Sequence, residues 1–299
     1  MNILSLRKVV KRYENFIAVD KVSLNIPKGS IYGMLGPNGA GKTSILRMIT
    51  QILLPDEGQI LFENEPLSPK HLAHIGYMPE ERGLYKKMKV YEQLLYFVQL
   101  RGYTKSQAER LLSVWIEKLN IKDWLHKKSN ELSKGQHQKL QFIVTVAHQP
   151  SLLILDEPFS GLDPISANLI KDEIFELHKK GVTVIFSTHR MEQVEEICDN
   201  ICLIHQGKVL LEGSLSQIKQ RFRKPLYQIR LENSEISLTD LDPIKIIEKF
   251  PNYTVIECKG FDNDRKVLEY LVQHLPITYF APLETPLNDI FIEVVSQRN

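Results

Sequence analysis

The sequence predicts an α/β domain that carries a helical insert and is followed by a small α+β domain. Three observations lead there. Leu152, Leu153, Ile154 and Leu155 form an apolar run without alternation, the mark of a parallel strand covered on both faces. Near residue 90 the hydrophobic period changes from two to about 3.6. After an α/β region ending near residue 217, a basic stretch from Lys219 to Lys224, closed by Pro225, marks a boundary.

The elements follow in order. Val22, Leu24 and Ile26 alternate with polar residues, as in a half-buried strand. Pro27, Lys28 and Gly29 then turn the chain into a more buried strand over residues 31–35. Val90, Leu94, Phe97 and Val98 stand at i, i+4, i+7 and i+8, one face of a helix. Leu111, Leu112, Trp115, Ile116 and Leu119 repeat that spacing, so residues from about 81 to 150 form a helical subdomain. Strands are predicted over 182–186 and 201–204, with a hairpin turn at 205–208. The α/β domain therefore spans 1–217. The small domain, 225–299, is expected to contain a strand over 226–231, a helix over 243–250 and a strand over 253–258. Two more helices are predicted over 265–274 and 287–295.

The chain has 299 residues, 43% apolar and 25% charged, which excludes disorder, collagen and coiled coil. Its 38 basic and 36 acidic residues leave a net charge of +2, too balanced for binding nucleic acid by bulk electrostatics, so no nucleic-acid partner is expected. Three cysteines, Cys198, Cys202 and Cys258, make no disulfide framework and suit a reducing compartment. The N-terminus lacks the apolar stretch of a signal peptide, and uninterrupted apolar runs are far shorter than the roughly 20 residues of a membrane span. The chain is not expected to cross a bilayer by itself.

Gly36, Pro37, Asn38, Gly39, Ala40, Gly41, Lys42 and Thr43, followed by Ser44, match G-x-x-x-x-G-K-[ST] after a predicted strand and before a predicted helix. In a chain this long, chance yields such a match roughly 1% of the time. Backbone N–H groups at a helix N-terminus form a nest for polyphosphate. Lys42 is expected to reach the β- and γ-phosphates and Thr43 to ligate Mg²⁺. No Asn-Lys-x-Asp guanine-reading motif occurs, which disfavours a GTPase.

Asp156 and Glu157 stand where the apolar strand leaves the core. Burying charge there is costly unless a cation meets it, and ligands of open α/β sheets sit at the carboxyl ends of strands. Asp156 is the expected outer ligand of the Mg²⁺ held by Thr43. Glu157 is placed to orient, or accept a proton from, the water attacking the γ-phosphate.

Leu132-Ser133-Lys134-Gly135-Gln136 resembles the signature of ATP-binding cassette (ABC) proteins, whose usual form is L-S-G-G-Q. Ser160-Gly161-Leu162-Asp163 resembles the family's D-loop, His189 its switch histidine, and Tyr13 the aromatic that stacks on adenine. The set covers residues 1 to about 217. Ser133 and Gln136 also have the spacing of a capping box. The resemblance implies the P-loop NTPase fold and two cassettes sandwiching two ATP molecules. Lys42, Thr43, Asp156, Glu157 and His189 would act in cis, and Ser133, Gly135, Gln136 and Asp163 in trans. It further implies a homodimer or heterodimer on the cytoplasmic face of the membrane, powering a permease on a separate chain. A soluble cassette ATPase not tied to transport is the alternative.

One position departs from the family pattern. Glu80 stands where a glutamine usually contacts Mg²⁺ and the attacking water, and a carboxylate can ligate the metal as well. The segment Pro79-Glu80-Glu81-Arg82-Gly83-Leu84-Tyr85, with Lys134 in the signature, resembles sodium or ABC-2 type exporter ATPases, as does the ending over residues 286–295.

Overall fold

The computed structural model of the chain describes residues 1–81, 83–232 and 243–297. β1 (Asn2–Tyr13) and β2 (Phe16–Pro27) pair as an antiparallel hairpin. Val22, Leu24 and Ile26 are buried while Ser23 and Asn25 between them are exposed, the alternation read from the sequence. β3 (Ile31–Leu35) is buried at every position. The chain continues through α1 (Lys42–Ile49), β4 (Glu57–Phe62), β5 (Glu65–Pro66) and β6 (Ile75–Met78). The helical insert follows, with α2 (Val90–Gln99), α3 (Lys105–Lys118) and α4 (Lys134–Val146). The chain then returns through β7 (Leu152–Asp156), α5 (Pro164–Lys179), β8 (Thr183–Thr188), α6 (Met191–Ile197), β9 (Asn200–His205) and β10 (Lys208–Ser214), ending in α7 (Leu215–Arg221).

Among the described residues these strands form two sheets, an antiparallel one in the order β2-β1-β4-β5 and a larger one in the order β10-β9-β3-β8-β7-β6. The five strands from β9 to β6 run parallel, and β10 returns antiparallel on β9. Ile45, Leu46 and Ile49 of α1 share one cluster with Leu24 and Ile26 of the small sheet and with Ile154 and Ile185 of the large one. α1 is therefore wedged between the sheets. Each such buried aliphatic side chain contributes about 1.5–3 kcal/mol, which fixes the loop that precedes the helix.

Two side chains near the start of α3 bond to backbone elsewhere, one to the 3-10 turn before β6 and one to the end of the insert itself. Arg101 Nη1 donates to the Leu72 carbonyl at 2.7 Å and Tyr103 Oη to the His148 carbonyl at 3.0 Å. His148 itself is buried. Burial first, then the nearby Arg101 charge, holds its imidazole down to about 4. A histidine whose folded value lies below its unfolded one near 6.5 contributes stability that is complete above that pH and is lost as pH falls towards 4. The gap corresponds to on the order of 3 kcal/mol. Urea unfolding at pH 7 and pH 4.5 is expected to show a smaller acid loss in His148→Gln than in the wild type. Identical losses would discard this role for His148.

The chain divides into two compact units, Met1–Leu215 and Ser216–Asn299. In the second, β11 (Leu226–Leu231), β12 (Ile244–Lys249), β13 (Thr254–Cys258) and β14 (Ile277–Pro282) form an antiparallel sheet in the order β12-β13-β11-β14. α8 (Asp264–His274) packs Val267 and Leu271 against Tyr227, Ile229 and Ile256, and α9 (Leu287–Ser296) ends the unit. Residues 244–249 are a strand, which corrects the helix predicted over 243–250. Ile244 and Ile246 pack on the core with period two, paired with Cys258 and Ile256, but a register shift after Ile246 leaves Ile247 exposed. That bulge interrupts the alternation by which a strand is recognised. The basic residues 219–224 lie within this unit, where Lys219 pairs with Glu284 and Arg223 with Asp264.

Candidate nucleotide-binding site

The register of the large sheet aligns the ends of four neighbouring parallel strands. Leu35 pairs with Thr188, Asp156 with Ser187, and Met78 with Leu155. The residues that follow these ends, Gly36, His189, Glu157 and, two positions on, Glu80, thus emerge along one edge of the sheet, where open α/β sheets bind ligands.

The loop between β3 and α1 requires glycine on geometric grounds. Gly36 and Gly41 have φ of 152° and 106°. A Cβ at Gly36 would lie 2.1 Å from the Ile204 carbonyl oxygen, and one at Gly41 2.4 Å from that of Ala18. α1 has no side-chain cap and no acidic residue in its first turn, so its leading N–H groups have no side-chain partner there. Lys42 is buried and its Nζ donates to the carbonyls of Gly36 at 2.6 Å and Pro37 at 3.1 Å. Burial lowers its pKa, opposed by the charges of Glu157, Asp156 and Glu80.

Thr43 Oγ1 donates to Asp156 Oδ2 at 3.2 Å. Burial pushes the Asp156 carboxyl above the usual carboxylate range, against the nearby Ser187 hydroxyl and the hydrogen bond from Thr43. Glu157 is also buried and adopts φ of 51°, a left-handed backbone that costs a non-glycine residue on the order of 1–3 kcal/mol. Its carboxylate gathers donors from the adjacent strand. Thr188 Oγ1 donates to Oε2 at 3.1 Å and the His189 backbone N–H to Oε1 at 2.9 Å. His189 Nδ1 lies 2.6 Å from the same Oε1. With Glu157 ionised, this contact selects the tautomer protonated at Nδ1.

These groups enclose a cavity of about 320 Å³ lined by Phe16, Ala18, residues 38–44, Glu80, Asp156 and Glu157. Three carboxylates face it against one lysine. A polyphosphate alone would be repelled by that excess of negative charge, and a divalent cation removes the conflict. The hydroxyl of Thr43 and the carboxylates of Asp156 and Glu80 form a hard oxygen set suited to Mg²⁺. The residues present therefore suit nucleotide and metal together.

Tyr13 is half-buried beside two of the lining residues and does not itself line the cavity. Its ring stacks on Phe16 at 5.5 Å and its hydroxyl lies 3.5 Å from Ser44 Oγ. Phe16, 60% exposed, is the aromatic that lines the cavity. The sequence signal for it is an aromatic three residues after Tyr13, beside the turn between two strands.

Ser133, Gly135, Gln136 and Asp163 do not line this cavity. Ser133 caps α4, with Gln136 N–H donating to Ser133 Oγ at 3.3 Å and Ser133 N–H to Gln136 Oε1 at 2.9 Å. Asp163 caps α5, accepting from Ser166 N–H at 3.0 Å. Among the described residues a Cβ at Gly135 would meet only Leu162 at 3.6 Å and Asp163 at 4.0 Å, ordinary contacts, so none of them requires glycine there. His189 reaches the site through Glu157.

A glycine-lined phosphate loop on a buried helix, beside an acidic strand end on the same sheet edge, defines a P-loop ATPase cassette. Residues 19–160 match the ABC transporter family, and residues 213–295 match the family described as ATP-binding protein DrrA1-3-like, C-terminal domain. The chain is 41% identical to the uncharacterized ABC transporter ATP-binding protein YhaQ of Bacillus subtilis, over 98% of both chains. It is 35% identical to the ABC transporter ATP-binding protein NatA of Bacillus subtilis, over 73% of this chain and 87% of that one. A solved ATP-binding subunit of an ABC transporter superposes with a TM-score of 0.69 at 27% identity, covering 74% of this chain and 93% of that one. The chain belongs to the ABC transporter family as an ATP-binding subunit.

Proposed function

We propose that this subunit hydrolyses ATP as one half of a paired cassette, docks on the cytoplasmic face of the membrane, and drives export through a permease on a separate chain. One observation carries the reading. Lys42, Thr43, Asp156, Glu157 and Glu80 converge on one cavity, while the capped N-terminus of α4 lies apart from it with a glycine that none of the described residues requires. A second copy, or a close relative, would bring Ser133, Gly135, Gln136 and Asp163 to that cavity. Ile165, beside Asp163, is 83% exposed, an apolar side chain suited to burial in such a pair.

In this reading the loop N–H groups and Lys42 hold the β- and γ-phosphates, and the exposed Phe16 with Tyr13 stacked on it offers stacking to the base. Glu157 orients the attacking water and takes its proton as the bond to the β-phosphate oxygen breaks, releasing ADP and phosphate. His189 holds the Glu157 carboxylate in place. Bound Mg²⁺, held by Thr43, Asp156 and Glu80, would supply charge neutralisation on the phosphates. Among the described residues no helix is long and apolar enough to cross a membrane. A second cavity of about 650 Å³, lined in part by Ile52, Leu84, Phe97 and Val144, offers an apolar seat for the permease. Export rests on the resemblance of residues 79–85 and 286–295 to exporter ATPases.

Complementation tests the pairing. Lys42→Ala and Ser133→Arg are each expected to be nearly inactive alone. Mixed, they regain ATPase activity, because the heterodimer contains one site with both its lysine and its serine intact. Wild-type specific activity is expected to fall on dilution. A mixture no better than its parts, or turnover unchanged at extreme dilution, would overturn the paired site.

A further inference from the structure

We propose that Gln141 is the positioning residue for Glu80, fastening the loop that carries it to the helix that begins at Ser133. The proposal rests on the metal-side reading of Glu80 given above. Gln141 is buried in α4, and its Nε2 donates to the Pro79 carbonyl at 2.7 Å and to the Glu81 carbonyl at 3.4 Å. These carbonyls flank Glu80 on either side. Both are acceptors, so the amide presents its NH₂ group to the loop and no other orientation satisfies the pair. Oε1 is left buried without a hydrogen-bond partner among the described residues. An orphaned buried amide oxygen is destabilising, so packing alone would favour Leu or Met here. What the glutamine supplies is the donor.

The consequence for Glu80 is directional. Its side chain is exposed on a loop and lines both cavities, the one with Lys42 and the larger one beside the helical insert. Gln141 fixes the backbone on each side and thereby which cavity the carboxylate serves. α4 is tied to the site at one further point as well. Gln138 Nε2 donates to the Pro158 carbonyl at 2.8 Å, next to Glu157, while the Thr145 hydroxyl donates to the Gln141 carbonyl of its own helix at 2.8 Å. One rigid helix thus joins the capped end offered to a partner cassette with the loops bearing both Glu80 and Glu157. A displacement at Ser133 is carried to Glu80 through the Gln141 amide.

The test uses the full chain with Gln141→Met, which keeps volume and removes the donor, alone and combined with Glu80→Ala. Readouts are kcat and KM for ATP, Mn²⁺ affinity in the presence of a non-hydrolysable ATP analogue followed by electron paramagnetic resonance, and Tm. Gln141→Met is expected to lower kcat and Mn²⁺ affinity about tenfold, a coupling typical of residues in one network, with KM within about twofold. In the Glu80→Ala background the same substitution changes neither quantity further. Should Gln141→Met lower Tm substantially, Gln141→Asn, one methylene short of the carbonyls, carries the same expected coupling. If Glu80→Ala is impaired while Gln141→Met is not, or if Gln141→Met costs as much in both backgrounds, the proposal is overturned. If Glu80→Ala is itself silent in kcat and Mn²⁺ affinity, the metal-side reading of Glu80 falls and takes the proposal with it.

Discussion

Glu157→Gln is expected to bind ATP with near-native affinity, to hydrolyse it about 10²- to 10⁴-fold more slowly, and to accumulate as a nucleotide-bound dimer. The amide is isosteric, and its oxygen can still accept from the His189 backbone N–H that now reaches Oε1 at 2.9 Å. Its NH₂ group can donate to Thr188 Oγ1 in place of the present bond to Oε2. The scaffold therefore survives. What disappears is the basic oxygen that takes a proton from water. Removing one negative charge beside Asp156 also eases the repulsion inside the cavity, which favours retention of the triphosphate. Gel filtration with Mg²⁺ and ATP, beside a phosphate-release assay, reads both effects. A variant that stays monomeric and fully active would remove Glu157 from its assigned role.

Lys42→Ala is expected to weaken ATP binding about 10²- to 10³-fold and to abolish turnover, the usual scale for deleting a preorganised electrostatic partner from a dry site. Lys42 is the one cation among the residues lining the cavity, set against Asp156, Glu157 and Glu80. Without it, an anionic ligand loses the only side-chain cation lining the cavity and keeps the loop N–H groups, the hydroxyls and any bound metal against three carboxylates. The fold tolerates the loss, since the two carbonyls that Lys42 Nζ contacts belong to its own loop. Calorimetric titration of nucleotide, with Tm as control, checks this. Binding within a few-fold of wild type would mean that the lysine does not face the phosphates.

Much of the site was legible because it is contiguous. The glycines, Lys42 and Thr43 lie in one segment, and Asp156 and Glu157 follow directly on their strand. The capping box was legible for the same reason, since Ser133 and Gln136 are three residues apart. What the sequence leaves open depends on pairing between distant segments. The level ends of β3, β8, β7 and β6 come from register, which the order of residues does not encode. Phe16 rather than Tyr13 lines the cavity because the hairpin turn carries it there. Gln141 reads as one more polar residue on a helix, and only the fold brings it to residues 79 and 81. The bulge after Ile246 concealed a strand by spoiling its period.

The left-handed backbone at Glu157 bears on how this protein can change over time. Few amino acids sit comfortably at φ of 51°, and the best suited, glycine and asparagine, lack the carboxylate that the proposed function assigns as base. Substitution there would set relief of backbone strain against loss of the bonds from Thr188 and the His189 N–H. Under the proposed function, selection for thermal resilience alone would not guard that carboxylate, so any breeding scheme for a sturdier version needs nucleotide turnover as its filter.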